Sequence, residues 1–230
     1  MSERFMARLC WPLLLFVAAT LVFLGLPELD LTIHRWLYLE QEARFTGQNQ
    51  PWAHFASEIL TPVLASLLGG AGLLALLLAL FKTGALRRRL WQGGGLVALT
   101  LLIGSGLLVN EVFKNHWGRA RPSQIEEFGG TRMYTPPLLR HTGPKACDRN
   151  CSFVSGDASV GFAFMALSFI VRRRRHLVLA GGVLAGGALG AVRMTQGAHF
   201  FSDVIFSGLV MYLTALAVHH LLVPECNRRP

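Results

Sequence analysis

Six apolar runs, at about 9–26, 59–81, 95–113, 153–171, 177–192 and 203–223, constrain this 230-residue chain more than any other feature. A helix needs about 20 apolar residues to cross the hydrocarbon of a bilayer, and these runs lie near that length. Apolar types make up 52% of the chain and charged types only 15%, which sets it apart from an ordinary soluble domain. In lipid every backbone polar group needs an internal partner, so each run is expected as a helix. The expected fold is an all-α membrane protein with six transmembrane helices. It forms a single domain over 1–230, with a core at about 58–223 and a first span plus interfacial segment at 1–57. The first run follows Arg4 and Arg8 as a signal peptide would, but it lacks a small-x-small cleavage site before Pro27. It is therefore expected as a retained span. Residues 28–57 carry Trp36, Tyr38 and Trp52 and suit the headgroup level. The third to fifth runs are rich in Gly, Ala and Ser, which allows close helix packing.

The net charge of +9 does not indicate a nucleic-acid partner, because no soluble basic domain holds it. Twelve of the 22 Lys and Arg residues sit in four short segments: the N-terminus (Arg4, Arg8), 82–93, 172–175, and the tail (Arg228, Arg229). With six spans, all four fall on one side. The positive-inside rule makes that side cytoplasmic, with both termini there. Residues 27–57, 114–152 and 193–203 then face outward. The 172–175 run would also meet anionic lipids of the inner leaflet.

The outward segments hold the chemistry. One run ends in Lys114-Asn-His-Trp-Gly-Arg119-Ala-Arg121-Pro122. Another begins Ser155-Gly156-Asp157, and the stretch Arg193 to Asp203 contains His199. Lys114, Arg121 and Arg193 would surround a tetrahedral anion with positive charge, arginine gripping two oxygens at once. Ser155 and Gly156 at a helix start offer backbone N–H groups to the same anion. His199 and Asp203 are four apart, so on a helix they share a face. The aspartate would orient the ring and stabilise its positive form, leaving the other nitrogen to attack phosphorus.

Lys114-x6-Arg121-Pro122, Ser155-Gly156 and Arg193-x5-His199-x3-Asp203 resemble, in order and spacing, the three motifs of the type 2 phosphatidic acid phosphatase superfamily. The resemblance covers about 95–205 and the flanking helices. It implies a helical phosphatase core with an outward-facing active site and a metal-independent phosphatase that works through a phosphohistidine. His199 is then the nucleophile and Asp203 its partner, while Lys114, Arg121, Ser155, Gly156 and Arg193 bind phosphate. No cofactor is implied. The substrate would be a membrane lipid phosphomonoester or diphosphate on the outer face of a bacterial inner membrane. Lipid A phosphate, phosphatidate, phosphatidylglycerophosphate and undecaprenyl diphosphate are the candidates. A lipid phosphotransferase using the same site, or a non-catalytic protein that binds or transports anionic lipids, are the alternatives.

One departure stands out. The family's second motif usually reads Pro-Ser-Gly-His, and that histidine protonates the leaving group. Here the run is Val154-Ser155-Gly156-Asp157. Asp157 is expected to act as the acid; the alternatives are that His116 or His141 substitutes, that the leaving group needs less help, or that the enzyme is degenerate. A similar Val-Ser-Gly-acidic variant belongs to members resembling lipid A phosphatases. Four further expectations concern neighbouring residues. Cys147 and Cys151 form a disulfide if their loop faces an oxidising compartment; the rival is a Cys-x3-Cys zinc half-site, for which the sequence shows no second ligand pair. Arg119 is either an extra phosphate or headgroup contact or a plain loop arginine. Trp117 is an interfacial anchor. Glu111 pairs with Lys114.

Overall fold

The computed structural model describes residues 3–140, 147–171 and 173–223. Among them are seven helices of eight or more residues and a short hairpin. α1 (Glu3–Gly25) is followed by α2 (Glu28–Arg35), and the two are bent by 78°. Pro27 lies at the break, where it cannot continue the hydrogen-bond ladder. The hairpin pairs β1 (Tyr38–Leu39) with β2 (Arg44–Phe45) in antiparallel register. Then come α3 (Pro51–Leu80), α4 (Gly84–His116), α5 (Gly156–Phe169), α6 (Arg175–Thr195) and α7 (Phe201–Leu222). Residues 141–146, 172 and 224–230 lie outside the described residues. The expectations for His141, Arg172 and the tail arginines fall there.

Two local features follow directly from residue type. Pro62 removes a donor from α3 and would strike the preceding turn, and the ladder widens to a π turn over Phe55–Leu60 just before it. The Ala56 carbonyl accepts from the Thr61 backbone N–H in that wider turn and also from Thr61 Oγ1 (2.9 Å). On α6, Gly182, Gly186 and Gly190 recur every four residues and form a smooth stripe. A Cβ on Gly182 would lie 2.6 Å from Met165 N, one on Gly186 would lie 2.3 Å from the Phe162 ring, and one on Gly190 would lie 2.4 Å from Val204. The stripe therefore lets α5 and α7 approach α6 at backbone distance, as the glycine-rich runs lead one to expect. Hydroxyl bonds tie the same helices: Ser105 to Ser159 (2.7 Å) joins α4 to α5, and Ser207 to the Ser155 carbonyl (2.9 Å) joins α7 to α5.

Four helices, α3, α4, α6 and α7, are long and apolar enough to cross a membrane, and the bent α1–α2 pair makes a fifth if it is one span. The run expected as the fourth span differs. It yields α5, a 14-residue helix with nine residues buried and none exposed. At ~1.5 Å per residue it falls short of a ~30 Å hydrocarbon core. The helix nevertheless starts at the end where α4 closes and leads toward the end where α6 begins, so it carries the chain between the two ends of the helix set. The loop expected at 82–93 also differs. α4 begins at Gly84, so Arg87, Arg88 and Arg89 stand on its first turns. Residues 28–57 are more than an interfacial skirt. Asp30, His34 and Phe45 are fully buried, and the aromatic rings of Phe45, Phe128 and Phe200 close around His34.

Candidate active site

The C-terminal ends of α4 and α6 and the N-terminal starts of α5 and α7 meet at one end of the helix set. The basic first turns of α4 and the 173–175 segment before α6 lie at the other end. All eight residues singled out in the sequence gather at the first end. Lys114 closes α4, and its charge is close enough to couple with Asp157, Arg121 and Arg193. A Cβ on Gly156 would lie 2.8 Å from Lys114 Nζ and 3.1 Å from Asn110 Oδ1, so only glycine lets that ammonium rest against the start of α5. Ser155 caps the helix, its hydroxyl accepting from Ala158 N (3.4 Å). Its own backbone N–H donates to the Asp203 carbonyl, which seats α5 on α7.

His199 lies in the turn between α6 and α7 and is fully buried. Its Nδ1 is 2.7 Å from the Ser152 carbonyl. A carbonyl oxygen only accepts, so Nδ1 carries the proton and Nε2 keeps its lone pair. Nε2 is buried without a hydrogen-bond partner. Burial, against the pull of Asp203, pushes the His199 pKa down to about 4, and the charges of Lys114 and Arg193 press the same way. At neutral pH the ring is thus an uncharged base with a bare lone pair. The Asp203 carboxylate stands 3.8 Å from Nδ1, beyond hydrogen-bond reach. The Ser152 carbonyl sets the tautomer, and Asp203 is placed to stabilise a positive ring by charge.

Asp203 in turn is held from several directions. Its carboxylate accepts from Phe200 N (2.8 Å), Ser152 Oγ (2.5 Å) and Arg119 (2.5 Å). Arg119 is fully buried and contacts no open cleft, so it is neither a phosphate contact nor a plain loop arginine. Its guanidinium donates to Asp203, Asp30 (2.8 Å), Ser202 Oγ (2.8 Å) and the Thr135 carbonyl (2.8 Å), with its face over the Phe200 ring. Burial alone would lower its pKa, but the carboxylates of Asp203 and Asp30 together raise it above the ordinary value. Asp30 also accepts from Ser202 N (2.9 Å), and His34 Nε2 lies 3.0 Å from the His199 carbonyl. Asp30 and His34 went unnoticed in the sequence. Two ionisable residues spaced i, i+4 directly after an apolar run were the available signal, since such a pair shares one helix face.

Arg121 and Arg193 line an open cleft of ≈180 Å³ beside Ala198. Arg193 Nε lies 2.9 Å from Asp157 Oδ2. Arg121 donates to the Asn150 carbonyl (2.9 Å), and burial, then the like charge of Arg193, lowers its pKa. Among the other expected residues, His116 Nδ1 turns back to its own helix, 3.1 Å from the Glu111 carbonyl. Glu111 accepts from Asn115 and does not pair with Lys114. Trp117 packs against Phe113 and stacks on Phe153, which makes it part of the core beneath the site. The Cys147–Cys151 disulfide is present. Backbone bonds from Cys147, Cys151 and Ser152 to Gly118, Lys114 and Arg119 (2.9 Å each) bring the Ser152 carbonyl to His199.

A partnerless histidine nitrogen, a carboxylate beside it and three converging cations on a helical scaffold define the phosphohydrolase class of site. The sequence comparison agrees: residues 95–225 match the PAP2 superfamily, and the chain belongs to that family. It is 47% identical over 129 residues to a lipid A 4'-phosphatase of Francisella tularensis subsp. novicida (strain U112), covering 55% of this chain and 56% of that protein. It is 42% identical over 125 residues to a lipid A 4'-phosphatase of Rhizobium leguminosarum, covering 52% of each. A lipid A 1-phosphatase of Rhizobium etli is 35% identical over 131 residues, covering 55% of this chain and 50% of that protein. The match thus spans about half the length of these curated relatives. No solved structure matches.

Proposed function

We propose that the chain is an integral-membrane lipid phosphatase that hydrolyses a phosphomonoester of a lipid A-type glycolipid through a phosphohistidine on His199, without a metal. The observation that carries this reading is the His199 ring itself, with Nδ1–H held by the Ser152 carbonyl and a bare, unprotonated Nε2. Such a ring at the meeting point of Lys114, Arg121 and Arg193 is built to attack phosphorus. Names of the relatives support the lipid A assignment. Positive-inside charge and the Cys147–Cys151 disulfide support a site on the outer, oxidising side of an inner membrane.

The phosphate dianion would sit between the three cations and the amides at the start of α5. His199 Nε2 forms the P–N bond as the ester P–O bond breaks, and Asp203 stabilises the positive ring. Asp157 donates a proton to the departing oxygen as the P–O bond breaks, and it regains that proton in the second half-reaction. In the second half-reaction Asp157 accepts a proton from water as the water oxygen attacks phosphorus and the P–N bond breaks. Free phosphate leaves, and the neutral ring returns.

The direct assay is phosphate release from lipid A in mixed micelles with EDTA present. Retained turnover is expected, and loss of turnover with EDTA contradicts the metal-free mechanism. For the acid role, Asp157→Asn is expected to lower kcat about 10²-fold or more on a sugar phosphate and to flatten the pH–rate profile. Hydrolysis of p-nitrophenyl phosphate, whose leaving group needs no proton, falls much less. Equal losses on both substrates would count against a proton-donor role.

A further inference from the structure

The same cleft has a second wall that the phosphate chemistry does not use. It is formed by Gln48 and Asn49 after the hairpin and by His54 and Glu58 on the first turns of α3, with Ser123 and Gln196 at the join. Gln48, Asn49, His54 and Glu58 lie outside the motifs and outside the family match, and Gln196 is an intervening residue of the third motif. The wall is fixed in place. Gly47 N donates to the Thr195 carbonyl (2.8 Å) and Ser123 N to the Gly197 carbonyl (2.9 Å). A Cβ on Gly47 would lie 2.3 Å from Thr195 Oγ1, so the chain docks on the end of α6 at a distance only glycine allows.

We propose that this wall is a saccharide-binding subsite that receives the ring bearing the scissile phosphate. The proposal rests on the phosphatase reading and deepens it. The lining is made of amides, hydroxyl, imidazole and carboxylate, which match the donors and acceptors of ring hydroxyls. A glycerol backbone or a polyprenyl chain beside the phosphate would bury those groups against alkyl surface without partners, at a cost in affinity. The cleft, ≈180 Å³, is smaller than the roughly 300 Å³ at which drug-sized sites begin, and it suits a single ring. Glu58 accepts from His54 Nδ1 when that nitrogen carries its proton (3.1 Å). The carboxylate oxygen left over can take a pair of hydroxyls. Gln48 Oε1 already accepts from Phe45 N (3.2 Å), so its NH₂ is the group it offers a ligand.

Gln196 gives the subsite its register. Its Oε1 accepts from Arg193 (2.7 Å) and its NH₂ lies 3.4 Å from Ser57 Oγ on α3. One side chain thus links a phosphate-binding arginine to the sugar wall and fixes the distance between ring and phosphorus. The subsite selects by position on the ring as well as by the presence of a ring.

The test is calorimetric binding of glucosamine phosphate, glycerol 3-phosphate and inorganic phosphate to the full chain in detergent, compared with Glu58→Gln and Gln48→Ala. The parent is expected to bind glucosamine phosphate at least tenfold tighter than glycerol 3-phosphate. Each variant should erase most of that ratio while its affinity for inorganic phosphate changes much less. Equal affinity of the parent for the two esters overturns the subsite, as does an equal fall of all three ligands in the variants. A parent that shows the tenfold preference yet releases no phosphate from lipid A contradicts the phosphatase reading and leaves the subsite standing.

Discussion

His199→Ala is expected to abolish lipid phosphate hydrolysis, with a loss of about 10⁴-fold or more in kcat, while the helical fold is retained. The nucleophile is a single atom, Nε2, and no neighbouring residue in the site offers a second lone pair with the same approach. Removal of a nucleophile leaves only the contribution of charge and positioning, which for such sites is about 10³-fold over water. The fold should survive because the ring spends one hydrogen bond on the Ser152 carbonyl and its other nitrogen has no partner to lose. The pH dependence has a definite sign. Attack needs the neutral ring, and its pKa lies at about 4. The acid limb of kcat/KM should therefore fall only as pH drops through about 4, well below the ~6.5 of a free imidazole. Circular dichroism of the detergent-solubilised variant checks the fold, and phosphate release checks the loss. A variant that keeps activity refutes the mechanism.

Arg119→Met should have the largest effect on stability. The change keeps much of the volume but leaves Asp30 and Asp203, both fully buried, facing each other without their shared cation. Removing one partner from a buried charge network costs about 3–5 kcal/mol. That exceeds most single substitutions and is a large part of the ~5–15 kcal/mol that holds a domain folded. Asp30→Asn in the same background removes one stranded carboxylate and should restore part of the loss, a coupling of ~1 kcal/mol or more between contacting residues. Thermal denaturation of the four members of this cycle measures it. Additive losses would show that Asp30, Arg119 and Asp203 do not act as one unit. Where the double variant folds, its kcat should still be low, because Asp203 has lost the guanidinium that fixes it beside His199.

How much of this was legible in the sequence differs by residue. Lys114, Arg121, Ser155, Gly156, Arg193, His199 and Asp203 stood in three short stretches, and short stretches keep their spacing on a helix or a turn. Their meeting at one end of the molecule followed from helices that alternate in direction. Partners from distant stretches left no such trace. Arg119 reaches Asp30 across 89 positions and Asp203 across 84, so nothing local marked it as a buried strut. The Ser152 carbonyl that sets the His199 tautomer is a backbone atom, and its neighbours in sequence do not reveal it. Residues 28–57 looked interfacial because they are polar and aromatic. Trp36 and Trp52 are indeed exposed, whereas the burial of Asp30, His34 and Phe45 comes from docking onto the end of α6 and under the 119–135 loop, a tertiary event. The fourth apolar run was long enough to span, but its helix stops at Phe169, and where it stops is set by tertiary packing on the α6 glycines.

The most direct measurement is a rapid-quench experiment with a lipid A substrate labelled in the scissile phosphate, stopped in base, where a phosphohistidine P–N bond survives. The account predicts a transient label on the peptide that contains His199, absent in His199→Ala, lost on acid treatment, and turning over at the rate of phosphate release. Full turnover with no label on that peptide, or label on a different residue, would contradict it.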